Sequence, residues 1–154
     1  MQTQIAAVSA HPELAPLVAG WRMEAFGRPG GPTVEEMTAS ILSPPQGLEE
    51  TFVVFRDGRP AGTAAIVGDD LDARPDLGPW LAWVFVDPAF RGQNCASELV
   101  RHAEGFAAAA SVPVLWLHTA AAEGLYGRLG WERVGTEQDH GKPVVLMRRD
   151  LGRI

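Results

Sequence analysis

The chain has 154 residues, the length of one domain, and that leaves no room for two enzymatic units. Hydrophobic residues make up 46%, enough for a core without cross-links, and the net charge of −6 disfavours the basic face that would grip nucleic-acid phosphates. The lone Cys95 excludes an internal disulfide, no Cys/His spacing or H-E-x-x-H suggests a metal, and no apolar run approaches the roughly 20 residues of a membrane span.

With no Lys or Arg before Arg22 to open a signal peptide, a soluble cytoplasmic protein is expected, and its acidic balance suits an amine partner. In chain order, residues 5–8 read as a first strand, and His11-Pro12 opens a helix through Leu14, Leu17, Val18 and Trp21. Residues 27–32 break it. Thr33 and Glu36 have the spacing of a capping box, placing a second helix over 37–42 that ends at Pro44-Pro45. Residues 51–56 and 61–67 form a hairpin about Asp57-Gly58.

An acidic loop over 69–79 leads into the apolar run 80–86, which reads as a strand covered on both faces. A turn at Arg91-Gly92 follows, then a helix in which Leu99, Val100, Ala103, Phe106, Ala107 and Ala110 share a face. Residues 112–119 read as a buried strand, 121–129 as a helix stopped by Gly130, and 131–134 and 144–149 as closing strands. The order predicts one α/β (α+β) domain, a mixed sheet layered with helices.

The chemistry concentrates where the 80–86 strand enters a helix through Arg91-Gly92-Gln93-Asn94-Cys95-Ala96. A helix start leaves backbone N–H groups without partners at the positive end of the dipole, and Arg91 adds a charge suited to phosphate. It is neither a G-x-x-x-x-G-K-S/T loop nor a G-x-G-x-x-G turn; Gly124, Gly127 and Gly130 span a helix instead of opening one.

This segment resembles the acetyl-CoA signature Q/R-x-x-G-x-G/A of the GCN5-related N-acetyltransferase (GNAT) family. Leu125-Tyr126-Gly127-Arg128-Leu129-Gly130-Trp131 resembles the family's LYxxLGF segment, and Val144-Val145-Leu146-Met147 its last strand. The three fall in the family's order over residues 51–151. The resemblance implies a mostly antiparallel central sheet with helices on both faces and a cleft between splayed fourth and fifth strands. It implies acetyl-CoA as co-substrate, with the backbone of Phe85 and Val86 pairing with pantetheine amides and the Val84 N–H facing the thioester oxygen. Arg91, Gly92, Gln93, Asn94, Cys95 and Ala96 would cradle the pyrophosphate. Tyr126 falls where the family places the general acid for the departing thiolate.

Two departures stand out. Asn94 replaces the signature's first glycine, and asparagine tolerates a left-handed backbone, so the loop is expected to form. Residues 80–86 hold no carboxylate base, which leaves Glu24, Asp69, Asp70 and His118 as candidates and Trp80 as a substrate contact or core residue. Tyr126 also suits plain core packing, Cys95 suits a small loop position with a reactive thiol at the helix start as the alternative, and Arg148, Arg149 and Arg153 read as a solvated tail. The leading expectation is transfer of acetyl to a small-molecule primary amine by direct attack in a ternary complex. A non-catalytic acyl-CoA-binding module and a protein acetyltransferase acting on lysines or N-termini stay open, as does a homodimer.

Overall fold

The computed structural model describes residues 2–45 and 47–152. Among these, β1 (Thr3–Ala7), β2 (Glu50–Arg56), β3 (Arg59–Val67), β4 (Trp80–Val86), β5 (Val114–Thr119), β6 (Glu132–Asp139) and β7 (Lys142–Asp150) form one sheet in the order β1-β2-β3-β4-β5-β7-β6. Every neighbouring pair is antiparallel except β4 and β5. The helices are α1 (Ala15–Phe26), α2 (Val34–Leu42), α3 (Cys95–Ala109) and α4 (Glu123–Arg128), with single 3-10 turns at Pro12–Leu14 and Pro88–Phe90. No helix among the described residues is long and apolar enough to cross a membrane.

Alternation along β2 sends neighbouring residues to opposite faces and so builds two cores. Phe52 and Val54 pack with Leu99, Val100 and Ala103 of α3 and with Tyr126 of α4, while Val53 packs with Val18 and Trp21 of α1 on the other side. The expected layering, helices on both faces of a mixed sheet, is what the chain adopts. The capping box also forms: Thr33 Oγ1 accepts the Glu36 N–H at 3.1 Å and Glu36 Oε1 accepts the Thr33 N–H at 2.8 Å. It starts α2 at Val34, three residues before the first apolar signal used to place it.

The largest departure from the sequence reading is β6, which runs to Asp139. Polar residues 135–139 hide it, because an edge strand needs to bury little and its backbone bonds to β7 do the work. The β6–β7 turn is His140-Gly141, with φ 50° and 79°, matching Asp57-Gly58 of the β2–β3 hairpin at 50° and 79°. Both have the left-handed pair of a type I′ turn. Arg148 and Arg149 belong to β7 rather than a solvated tail: Arg149 Nη1 donates to Gly130 O at 3.0 Å, and its Nε lies 3.6 Å from buried Glu104. Arg153 lies outside the described residues.

At Gly62, β3 approaches β4 so closely that an added Cβ would lie 2.7 Å from Phe85 O and 3.2 Å from Val86 Cα. These are backbone atoms of a paired strand and cannot swing away. Gly62→Ala is therefore expected to cost about 1–3 kcal/mol, in the range of overpacked cores. Urea unfolding checks it as a lower midpoint with an unchanged slope.

Candidate active site

Past β4 the chain makes a cradle. Asp87 Oδ1 accepts the Ala89 N–H at 2.9 Å and starts the short turn, then Gly92 and Asn94 take left-handed backbone at φ 82° and 63°. The Glu98 N–H bonds Asn94 O at 3.1 Å, so the N–H groups of Cys95, Ala96 and Ser97 have no intrahelical acceptor and present the positive end of α3. Arg91 folds back so that its Nε donates to Val86 O at 3.1 Å, leaving its Nη groups unpaired among the described residues.

The cradle is held from behind by Arg56, only 2% exposed, whose Nη2 donates to Gln93 O at 2.8 Å while Nη1 bonds Thr3 Oγ1 at 3.0 Å and pairs with Glu98. Sequence reading treated Arg56 as the end of a strand. Its signal was a lone cation closing an apolar run, a position where a charge must find buried partners. Cys95, by contrast, is no reactive thiol: it is buried, its Sγ–H points at Phe90 O at 3.9 Å, and burial pushes the thiol above its ordinary range. Desolvation outweighs the helix end there.

β4 and β5 touch at one register point, Trp80 opposite Trp116, with the Trp116 N–H on Pro79 O at 3.2 Å. Beyond it they part. Trp83 takes φ 59°, and the pairing with β3 passes from Ala82 to Phe85, so Trp83 and Val84 have no register partner there. Phe85 pairs with Thr63 and the Asp87 N–H bonds Ala61 O at 2.8 Å, which by alternation turns the Val86 N–H and C=O toward the gap. Phe85's own backbone groups are thereby committed to β3, so its expected place on the open edge is not where the fold puts it.

The gap opens into a cleft of about 630 Å³ lined by Val84, Tyr126, His118, Asp70, Arg22 and Trp83 among others. His118 Nε2 lies 2.8 Å from Asp70 Oδ2 and its ring stands edge-on to Trp80 at 5.9 Å. Burial alone would lower the imidazolium, but the bond and charge of Asp70, with Asp139, outweigh it, and His118 titrates above its usual 6.5. Asp70 is raised as well, chiefly by burial, against the pull of His118 and Arg22. Tyr126, enclosed beside Trp131 at 6.3 Å, is pushed up to about 12 by burial.

Val84, Asp70, His118 and Tyr126 thus share one cleft. Trp80 is fully buried beside His118 and does not line the cleft, and Glu24 and Asp69 are exposed and line no part of it. Arg22 was missed, because on α1 it sits among residues whose spacing marks a core face. The structure turns it inward, 6% exposed, with its guanidinium 4.7 Å over the Trp83 ring.

The model of the family described as "Acetyltransferase (GNAT) domain" matches residues 47–133. No curated protein matches the sequence. Similar solved structures include an N-acetyltransferase from Staphylococcus aureus, 18% identical with a TM-score of 0.78 over 98% of this chain and 99% of that one. An aminoglycoside 6'-N-acetyltransferase solved with coenzyme A is 14% identical, TM-score 0.77, over 96% and 97%. Mutant forms of the spermidine/spermine N-acetyltransferase of Vibrio cholerae are 16% identical, TM-score 0.71, over 97% and 95%.

Asn94 caps nothing with its side chain, so its left-handed backbone is its structural role. Asn94→Ala is expected to lower stability by about 1–2 kcal/mol, the cost of a Cβ in that conformation without asparagine's tolerance, whereas Asn94→Gly holds or raises it. Thermal melts of the two variants beside the parent check the opposite signs.

Proposed function

The chain belongs to the GNAT acetyltransferase family, and on that premise we propose that it transfers acetyl from acetyl-CoA to a primary amine of a small molecule by direct attack in a ternary complex. The observation that carries this is the parting of β4 from β5: the α3 cradle follows the end of β4, and the gap opens into a cleft that holds Val84, Tyr126 and the His118–Asp70 pair. A cleft enclosed by helices and strands suits a small acceptor better than a peptide laid across a surface.

The residues present fit acetyl-CoA. Unpartnered N–H groups at the start of α3 and the unpaired Nη groups of Arg91 suit a pyrophosphate, and the Val86 N–H on the open edge suits a pantetheine amide, as strand addition does. When bound, acetyl-CoA supplies an activated thioester. The Val84 N–H, outside the β3 ladder, would donate to the thioester oxygen as it gains charge. His118 would take the amine's proton: Nε2 is held by Asp70, which places the lone pair of the neutral ring on Nδ1, an atom without a protein partner among the described residues. Tyr126 would donate to the leaving sulfur. A phenol near 12 stays protonated at every working pH, but it is a weak acid, so its hydrogen bond stabilises the thiolate more than it delivers the proton.

Free-thiol release from acetyl-CoA in the presence of an amine panel tests the assignment, and the absence of release with every amine would overturn it. Within that assay Tyr126→Phe is expected to leave acetyl-CoA affinity and melting temperature in place and to lower kcat about 10- to 100-fold, at or below the usual contribution of a general acid.

His118 must be neutral to act, and Asp70 raises its pKa, so kcat/KM should climb with pH along a limb centred above 6.5. Asp70→Asn removes the raising partner and leaves burial to lower the ring, so the limb moves to lower pH. His118→Gln should flatten it while kcat falls about 10²- to 10⁴-fold. A pH–rate profile of the three proteins checks both shifts.

A further inference from the structure

Three arginine side chains have a buried Nε without a partner, those of residues 22, 56 and 149. Two of them still meet a carboxylate, Arg56 at Glu98 and Arg149 at Glu104. Arg22 meets none within ion-pair distance among the described residues. Its five N–H donors find one ordinary acceptor, Thr51 Oγ1 at 3.1 Å, and one weak one, Met37 Sδ at 3.7 Å, while the Trp83 face covers the guanidinium. An arginine 6% exposed and so thinly satisfied is costly to the fold, and burial lowers its pKa to about 10.

The cost has a direction. Arg22 lines the catalytic cleft and also a second cavity of about 610 Å³ under α2, and Arg28 stands at the rim of both. The carboxylates of that second cavity are already engaged: Glu36 closes the capping box, Glu50 bonds Ser9 and the Thr51 N–H, and Glu49 also has a partner. The same cleft is lined by the His118–Asp70 pair and Asp139; the Asp70 charge reaches Arg22 and partly opposes the effect of burial, without coming within ion-pair distance. One guest therefore meets a cationic wall and an anionic, proton-accepting wall. The lining also includes the apolar Met23, Phe26, Met37 and Leu81.

We propose that Arg22 receives a carboxylate of the acceptor, so that the acceptors are amino acids or close zwitterionic analogues with apolar side chains, held with their amine at His118–Asp70. This rests on the acetyltransferase reading above and narrows its substrate class. The planar fork of a guanidinium matches a carboxylate in two parallel hydrogen bonds, which lysine could not reproduce. The acceptor's second charge is what completes the site: a polyamine or aminoglycoside would leave Arg22 bare and bring further positive charge beside it.

The test compares apolar amino acids, each beside its primary amide and its decarboxylated amine, as acceptors for the wild-type protein, with spermidine as a carboxylate-free control. Near neutral pH the amide's less basic amine offers more free nucleophile, so a preference for the acid runs against intrinsic reactivity. The expected result is kcat/KM about 10- to 100-fold higher for the acid than for either analogue, the worth of charge-assisted hydrogen bonds. Arg22→Met should erase that preference without lowering the melting temperature or changing KM for acetyl-CoA, and Arg22→Lys should restore part of it. Carboxylate-free amines acetylated as well as or better than the acids by wild type would overturn the inference and leave the acetyltransferase standing. No turnover of any amine, with acetyl-CoA still raising the melting temperature, would overturn both. If Arg22→Met instead melts several degrees lower and keeps the acid preference, Arg22 serves only to seat α1 on the sheet, and the proposal fails. The wild-type panel decides the substrate class even if that variant does not fold.

Discussion

A parallel pair of strands that is joined at one point and then separates must leave backbone N–H and C=O groups facing a gap, and the rest of this molecule is arranged around that fact. Trp80 and Trp116 make the join, and the carboxyl ends of β4 and β5 diverge from it. Buried backbone groups do not stay unpaired in proteins, so an opening of this kind is a place for an extended, amide-bearing guest. Each of the parted strands then runs into a helix. α3 follows β4 and offers the cradle, and α4 follows β5 and brings Tyr126 to the cleft. In open α/β sheets, ligands bind beyond the carboxyl ends of the strands for the same reason: that is where the helix starts converge.

The parting is reinforced at Trp83. A tryptophan at φ 59° costs about 1–3 kcal/mol. Arg22 lies over its face at 4.7 Å and Phe26 meets its edge at 5.4 Å, both from α1. The kink removes Trp83 and Val84 from the β3 ladder, and the same two α1 residues line the cleft beside it. The kink in the strand, the seating of α1 and the shape of this side of the cleft are therefore one arrangement.

Much of this was legible in the sequence because it rests on local rules. The capping box at Thr33, the Asp57-Gly58 hairpin, the buried run of β4 and the left-handed backbone of Asn94 each follow from residue type and spacing, and each is present. What escaped depends on pairing across the chain. β6 is polar on its exposed edge and exists because β7 bonds it, and neither half of the Asp70–His118 pair hints at the other across 48 positions. Glu24 and Asp70 looked equivalent as carboxylates near the right elements; only the loop before β4 decides that Asp70 turns in. Arg22 escaped for a different reason, since a cation on the buried face of a helix reads as an exception to the pattern until its surroundings show no carboxylate within ion-pair distance.

The charges of the cleft explain why an acidic chain can host an anionic group. A net charge of −6 acts at long range and is screened within about a Debye length, whereas Arg22 sits in a low dielectric where a nearby carboxylate feels it almost unscreened. Burial raises Asp70 against the pull of His118, while His118, which burial alone would lower, is raised by the bond and charge of Asp70 and by Asp139. The pair is close to neutral when protonated once and negative when stripped. A guest bearing one charge of each sign leaves no wall of the cleft unpaired, which a guest of single sign cannot do.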